Sequence, residues 1–464
     1  FVGMIKKVLL VIFLLISLSY AEEDLFKVAK QKVQIKSVEN SINKALKFYN
    51  DGLFSNAANL AQDTLFNNEV SDRDYAVLNL ILAASLYKAR EEDIMYKYIQ
   101  QVQDDRLDDY TLYRIYQIAM SLFIERKHKE GQEYILNKLG INQQNDVKID
   151  GSEDDTAKII EAITVNKEKP KDKIKKLTKG GRFRFFGEDS KIITYNNVDF
   201  ILGQNIFELD PNIPIIGKLS IYVSEKDQTL LEVAKKLDLG YYELKNANPF
   251  LDPFDIRKNH IIIVPFRRIL PVKDFKYGTI YVNINEKRLY YPIKINNKSY
   301  VITFPVGIGT DEAQSPIGEF KISQKRKDPA WYPPPSIRKE QPDLPEVFPP
   351  GPDNPLGTRA MRLGNTNFLM HGTNKEYGIG MKVSHGCIRM YNEDVERLFE
   401  VVDIGTPVVS KDIPYKVYFN SEKFVEAFDD EAVSMMEKAE IASKSFLNLY
   451  KTDIIGKSFA IKTW

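Results

Sequence analysis

Three hydrophobic periods succeed one another along the 464-residue chain. Over its first third, apolar side chains recur every three to four positions, the spacing of one helix face. Within that run ALKFYNDGLFSNAANLAQ from Ala45, ASLYKAREEDIMYKYIQQ from Ala84 and MSLFIERKHKEGQEYILN from Met120 echo one another. They put Tyr49, Tyr87 and Phe123 in equivalent positions about 36 residues apart, which predicts a helix–turn–helix repeat. An irregular helical bundle is the competing arrangement. From Asn142 to about Gly181 the period fades, and GSEDDT and NKEKPKDKIKKLTKGGR read as linker carrying solvated lysines. Helical spacing returns with Leu230, Val233, Ala234 and Leu237 at i, i+3, i+4 and i+7. A strand from Tyr222 precedes this helix; a second short helix from Tyr241 and the strand HIIIVP follow it. From Tyr277 the period drops to two: GTIYVNI, RLYYPIK, YVITFPVGIG and GEFKISQKR alternate between Gly and Asn turns. That predicts a mostly antiparallel, twisted sheet or barrel.

Ten of the 22 prolines fall between Pro329 and Pro355. Proline cannot donate to a ladder, so this stretch is loop, and a long stiff loop inside a domain is often a lid or binding loop. Trp331, Tyr332 and Arg338 lie on it as candidate substrate contacts, with a purely structural cover as the alternative. YNEDVERLFEVV reads as a helix capped by Asn392, with Val395, Leu398, Phe399 and Val402 as its buried stripe.

Near the start, Lys6 and Lys7 precede the apolar run Val8 to Leu18, then Ser19-Tyr20-Ala21 and Glu22. A basic start, a short apolar core and a small-x-Ala site predict a secretory signal cleaved after Ala21; a retained anchor is the alternative. With 65 basic and 64 acidic residues, the charge balance gives no reason to expect a nucleic-acid partner.

The chain holds one cysteine, Cys387, in SHGCIRM. In an oxidising space a lone thiol cannot pair internally, so it is either joined to another molecule or kept reactive. Two of the four histidines, His371 and His385, shortly precede it. A thiol is mostly protonated at neutral pH, and an imidazole in reach would convert it to a thiolate–imidazolium pair. Gly386 lets a carbonyl approach closely, so the amides of His385, Gly386 and Cys387 could form an oxyanion hole. Two other readings remain open at this point: a small buried hydrophobe, and an open zinc site built from His371, His385 and Cys387.

His371-Gly372, twelve further residues, then Ser384-His385-Gly386-Cys387-Ile388-Arg389-Met390 resembles the signature of the L,D-transpeptidase (YkuD-type) catalytic domain. FPVGIG, SPIGEFKI, KDPAWYPPPSIRKE, GPDNPLGTRAMRLG and HGTNKEYGIGMKVSHGCIRM resemble its Gram-negative, LysM-containing branch. The segment from Lys218 to Phe266 is similar to a LysM module in Thr229-Leu230, Asn248 and the closing Ile-Val-Pro, but Asp227-Gln228 replaces the usual Gly-Asp. The early repeats resemble degenerate tetratricopeptide hairpins. These likenesses imply a multidomain α+β protein: signal peptide 1–21, helical repeat-like region 22–140, linker and connecting segment 141–217, LysM-like βααβ module 218–266, mostly-β catalytic domain 277–411 and C-terminal tail 412–464.

The family resemblance implies peptidoglycan as substrate and requires no cofactor or metal. It implies that Cys387 attacks the diaminopimelyl carbonyl of a tetrapeptide stem and expels D-alanine. An amine then takes the acyl group, giving a 3→3 cross-link or attaching a wall-anchored lipoprotein. His371 matches the general base, His385 and Gly386 the oxyanion and orienting positions, and Ser384 a supporting one. Arg389 matches the motif in a binding or structural role. A periplasmic location follows, and the helical region is expected to bind an unidentified protein. An L,D-carboxypeptidase and a non-catalytic wall-binding scaffold are the rival functions.

Overall fold

The computed structural model describes residues 36–141, 191–272, 274–419, 422–428 and 458–462. The expected signal peptide and the lysine-rich linker lie outside them. Among the described residues no helix is long and apolar enough to cross a membrane. The chain forms two compact units, the first ending at Leu122 and the second beginning at Phe123.

Six helices come first among the described residues: α1 (36–50), α2 (Phe54–Asn67), α3 (Asp72–Ala89), α4 (Glu92–Ile99), α5 (Asp109–Glu125) and α6 (Lys129–Lys138). The first helix of each successive pair ends at a left-handed residue: Gly52 (φ 77°), Arg90 (φ 63°) and Lys127 (φ 58°). All three turns use one hydrogen-bond pattern: Gly52 to Tyr49 with Leu53 to Phe48, Arg90 to Tyr87 with Glu91 to Leu86, and Lys127 to Ile124 with His128 to Phe123. The left-handed residue thus frees two terminal carbonyls to be capped. The helix–turn–helix pairs expected from the period are present. The register differs by one at the third pair: Ile124, not Phe123, is equivalent to Tyr49 and Tyr87. The aromatic at 123 misleads because side-chain type, unlike the cap, need not repeat.

The second unit is built on a nine-stranded sheet in the order β16-β14-β13-β12-β17-β8-β9-β10-β3. Its strands are β3 (Ile206–Glu208), β8 (Ile280–Asn283), β9 (Arg288–Ile295), β10 (Lys298–Pro305), β12 (Gly318–Lys327), β13 (Arg359–Leu363), β14 (Leu369–His371), β16 (Ile388–Arg389) and β17 (Pro407–Lys411). The expected antiparallel character holds except where β17 joins β8 and β14 joins β16 in parallel. Long β12 serves two neighbours, pairing β17 through Gly318–Lys321 and β13 from Ile322 onward, with the register shifting between Ile322 and Gln324.

The two faces of this sheet enter different cores. Ile280, Val282, Leu289, Tyr291, Ile302 and Phe304 point to a core closed by the helix α10 (Asn392–Val401) through Val395, Leu398 and Phe399. The alternate residues Tyr281, Tyr290 and Val301 point the other way, into a core shared with Leu230, Val233, Leu237 and Leu244. Those four belong to the expected strand–helix–helix–strand unit: β5 (Leu219–Val223), α7 (Leu230–Lys236), α8 (Tyr241–Ala247) and β6 (Ile261–Pro265). Thr229 and Glu232 form a reciprocal capping box at the start of α7. Buried Asn248 ties α8 to β6 by exchanging hydrogen bonds with Ile263 N and O at 2.8 and 2.9 Å.

The last part of the expected linker and connecting segment, 141–217, carries strands of its own. The hairpin of β1 (Ile192–Tyr195) and β2 (Val198–Ile201) buries Phe200 in the α10 core, and β3 forms the sheet edge against β10. These strands are three or four residues long, too short to establish a period, although Asn196-Asn197 (φ 48° and 63°) marks the turn. The tail after 411 is likewise structured: β18 (Tyr415–Phe419), β19 (Glu422–Ala427) and β20 (Ser458–Lys462) form a sheet.

Candidate active site

The site forms where β14 and β16 lie side by side. Met370 pairs with Ile388 and His371 with Arg389, which brings the histidine and the cysteine segment to one sheet edge. The cysteine turn straddles a short strand, β11 (Ile308–Gly309). On one side Ile308 and Gly309 pair with Lys382 and Ser384 of β15 (Lys382–Ser384). On the other, Gly307 and Arg389 exchange backbone hydrogen bonds at 2.8 Å each way. The cysteine turn is therefore clamped on both flanks.

Ser384 shapes the turn. Its hydroxyl donates to the Cys387 carbonyl at 2.5 Å and accepts from the Gly386 amide at 3.2 Å. Gly386 has φ +97°, and a Cβ there would stand 2.5 Å from the Phe368 ring, so only glycine fits. Because its N–H donates to Ser384, Gly386 serves here as a turn residue.

His371 is buried, and its Nδ1 lies 2.5 Å from the Gly372 carbonyl. A carbonyl only accepts, so Nδ1 carries the proton and Nε2 is the basic lone pair. Burial, reinforced by the Arg389 charge, lowers the imidazole to about 4 despite the Gly372 bond. Burial also pushes the half-buried Cys387 thiol up, against the Leu369 N–H and the cations Arg389 and Arg362. Both shifts favour the neutral forms. Both directions run against the expected thiolate–imidazolium pair: the low-dielectric edge penalises both charges, and Arg389 opposes the imidazolium.

Asn392 does not cap α10; Tyr391 is the N-cap residue, and no side chain bonds there. Instead Asn392 Oδ1 accepts from the amides of Thr358 and Thr373, and its Nδ2 donates to Thr373 O. It thereby holds the strand exit that carries the Gly372 carbonyl. A Cβ on Gly372 would lie 2.2 Å from that Oδ1. Asparagine in YNED looks the same in sequence whether it caps forward or reaches back.

The proline-rich segment contains a short helix, α9 (Pro335–Glu340), and a bridge between Trp331 and Phe348, whose rings lie 5.3 Å apart. Trp331 thus packs within the loop, while Tyr332 is exposed. Arg338 is turned to the loop's own carbonyls, donating to Pro333 O and Glu346 O at 3.2 and 2.9 Å. Buried Asn354, unremarked in the sequence, gathers Pro329 O, Phe348 O and Pro349 O with one amide. Glu340 meets the His385 ring at 3.1 Å, so this loop reaches the residue two before the cysteine.

Among the described residues no three His, Cys, Asp or Glu side chains gather as metal ligands. Since His385 turns to Glu340, it does not complete a zinc set with His371 and Cys387. A small cleft of about 40 Å³, lined by Gly240, Tyr242, Glu243, Arg268, Glu286 and Glu426 among others, includes neither catalytic candidate.

Residues 277–409 match the family model for the L,D-transpeptidase catalytic domain, YkuD. The chain is 35% identical over 257 residues to "Probable L,D-transpeptidase YcfS" of Escherichia coli K12, covering 52% of this chain and 79% of that protein. It is 39% identical over 194 residues to "Probable L,D-transpeptidase YbiS" of the same strain, covering 41% of this chain and 62% of YbiS. The chain thus spans about three fifths of the length of YbiS. The NMR structure of the E. faecium L,D-transpeptidase catalytic domain is 22% identical over 29% of this chain and 95% of its own, with a TM-score of 0.22.

Proposed function

This chain belongs to the L,D-transpeptidase family, and we propose that Cys387 takes an acyl group from the tetrapeptide stem of peptidoglycan and hands it to an amine. His371 Nε2 accepts the Sγ proton as sulfur adds to the diaminopimelyl carbonyl. The amides of Cys387 and His385 receive the oxyanion. Collapse breaks the C–N bond to D-alanine, whose nitrogen takes the proton back from the imidazolium, leaving a thioester. An acceptor amine then adds, loses a proton to His371, and expels the thiol. The observation that carries this reading is the tautomer of His371 set by Gly372 O, which makes Nε2 the basic nitrogen on the strand paired with the cysteine segment.

Transfer rather than hydrolysis requires an ordered amine and excluded water. The proline-rich loop that reaches His385 through Glu340 is the element suited to this, with exposed Tyr332 as its contact. The acceptor is another diaminopimelate or a lipoprotein lysine. The strand–helix–helix–strand unit acts as a LysM-like glycan contact, and the enzyme works in the periplasm after cleavage at Ala21. The test has two arms. Intact-mass analysis after a carbapenem, whose strained acyl ring thiols open, should show an adduct on the wild type and none on Cys387→Ala. Tetrapeptide muropeptides should yield 3→3 dimers. Tripeptide alone, with both amine donors supplied, would replace this reading by a carboxypeptidase.

A further inference from the structure

The segment 372–386 joins His371 to Cys387, and the strand–helix–helix–strand unit contacts it at Glu376, Ile379 and Gly380. Tyr241 N donates to Ile379 O at 3.2 Å. The Tyr391 hydroxyl reaches Leu239 O at 3.2 Å in a buried bond, and Lys235 pairs with Glu376. Between these contacts two glycines meet backbone to backbone. A Cβ added to Gly240 would stand 2.9 Å from Gly380 Cα, and one added to Gly380 would stand 2.4 Å from Gly240 Cα.

The two glycines differ in one respect. Gly380 has φ +81°, so its own backbone already favours glycine. Gly240 has φ −76° and ψ 148°, a conformation open to every residue. Only the contact with the catalytic segment excludes a side chain at 240. Nor does the interior of the unit require it: Leu244 and Ala247 of α8 are buried, while Gly240 precedes the helix as its cap residue.

Gly380 in turn is wired to the nucleophile. Its N–H donates to Val306 O at 3.1 Å, and the next residue's carbonyl, Met381 O, accepts from Ile308 N at 3.0 Å. Gly307, between them, exchanges two hydrogen bonds with Arg389, which flanks Cys387. A shift at Gly380 therefore reaches the cysteine turn through three residues of close-packed backbone.

We propose that the α7–α8 turn, Lys235–Tyr241, is a positioning element for the catalytic turn, with Gly240 as the residue that permits it. The unit then contributes to acylation through backbone contact, apart from any glycan it binds. This rests on the reading of Cys387 as the acylated thiol.

The experiment uses the full chain with Gly240→Ala, a soluble stem peptide free of glycan, and a carbapenem as acylating probe. The acylation rate constant should fall about tenfold, a cost expected from a sub-ångström misplacement, while non-covalent affinity stays within about twofold. An imidazole NMR titration of His371 gives a readout independent of turnover, and its midpoint should move up from about 4 as the segment loosens. Thermal unfolding reports whether the variant folds. If it does not, Tyr391→Phe removes only the bond to Leu239 O and should slow acylation a few-fold in the same sense. A folded Gly240→Ala with wild-type acylation and an unmoved His371 titration overturns the proposal. A wild type that takes no adduct at all instead overturns the functional reading, and the His371 titration still decides the positioning.

Discussion

Asn392 grips Thr373 from both sides, its Oδ1 accepting from the Thr373 amide at 3.2 Å and its Nδ2 donating to the Thr373 carbonyl at 2.9 Å. Two residues upstream is His371, whose proton is fixed by the carbonyl between them. Asn392→Ala should slow acylation by roughly 10- to 100-fold through loss of the base's alignment. It should also cost about 1–3 kcal/mol, because buried amides lose their acceptor. Asn392→Asp keeps the acceptors but sets an oxygen against the Thr373 carbonyl, so it should not rescue the rate. A rapid-quench acylation rate beside chemical denaturation separates the two effects; wild-type acylation in the alanine variant would refute the assignment.

The pH dependence of acylation follows from the buried imidazole. With His371 lowered to about 4, the neutral base persists well below the ordinary histidine range. The acid limb of the acylation rate should therefore fall near 4 rather than 6.5, and the rate should stay level through neutrality. His371→Ala should lower the rate by about 10²-fold or more and abolish that limb. An inflection near 6.5 in the wild type would show a solvated base.

The loop prediction concerns Asn354. Its side-chain amide collects three carbonyls at the base of the proline-rich segment. Asn354→Ala should release the loop without touching Cys387 or His371, raising the share of hydrolysed tripeptide over cross-linked dimer. Limited proteolysis between Pro335 and Pro350 should quicken in parallel. An unchanged product ratio in a loop that is now cleaved readily would remove the loop from acceptor selection.

A fourth expectation is thermodynamic. Buried Lys416 lies between two carboxylates, 2.9 Å from Glu286 and 2.7 Å from Glu426. Burial, partly offset by Lys416 and reinforced by Glu286, raises Glu426 to about 7. Between about 4.5 and 7 the folded chain thus keeps a proton that the unfolded chain releases. Stability from this group is full below about 4.5 and is lost as pH rises through 7. Glu426→Gln, uncharged throughout, should flatten the decline in denaturation free energy between pH 5 and 8. A decline as steep as in the wild type would locate the titration elsewhere.

How much of this was legible depended on whether a residue's partners were near in sequence. The helix carrying Leu230, Val233, Ala234 and Leu237 was readable because its capping and its apolar stripe are local. The strand run after Tyr277 was readable because β-rich segments between Asn and Gly turns announce themselves, and Asn296-Asn297 forms such a turn (φ 48° and 64°). His371 and Cys387 stood out by chemistry alone. What escaped were choices among partners distant in sequence. Asn392 could cap forward or reach back to Thr373, and Arg338 could meet a substrate or its own loop. The protonation of the thiol pair depended on burial, which no motif encodes.

The short pairing of β4 (Ile215–Ile216) with β7 (Arg268–Ile269) has a broader bearing. The chain lays down β3 at one edge of the great sheet, leaves along β4, builds the strand–helix–helix–strand unit, and returns along β7 before supplying β8 and β9. Where the outward and returning paths cross, a Cβ on Gly217 would stand 1.9 Å from Phe266 O. The unit is thus an insertion on a double stalk, not a bead on a string. Two covalent tethers remove the swivel that one linker would allow, so its orientation is inherited from the host sheet. Excision would have to rejoin Ile216 to Arg268, ends already paired, and would leave the host strands in order. Grafting the unit onto another protein by one terminus would not carry its orientation along.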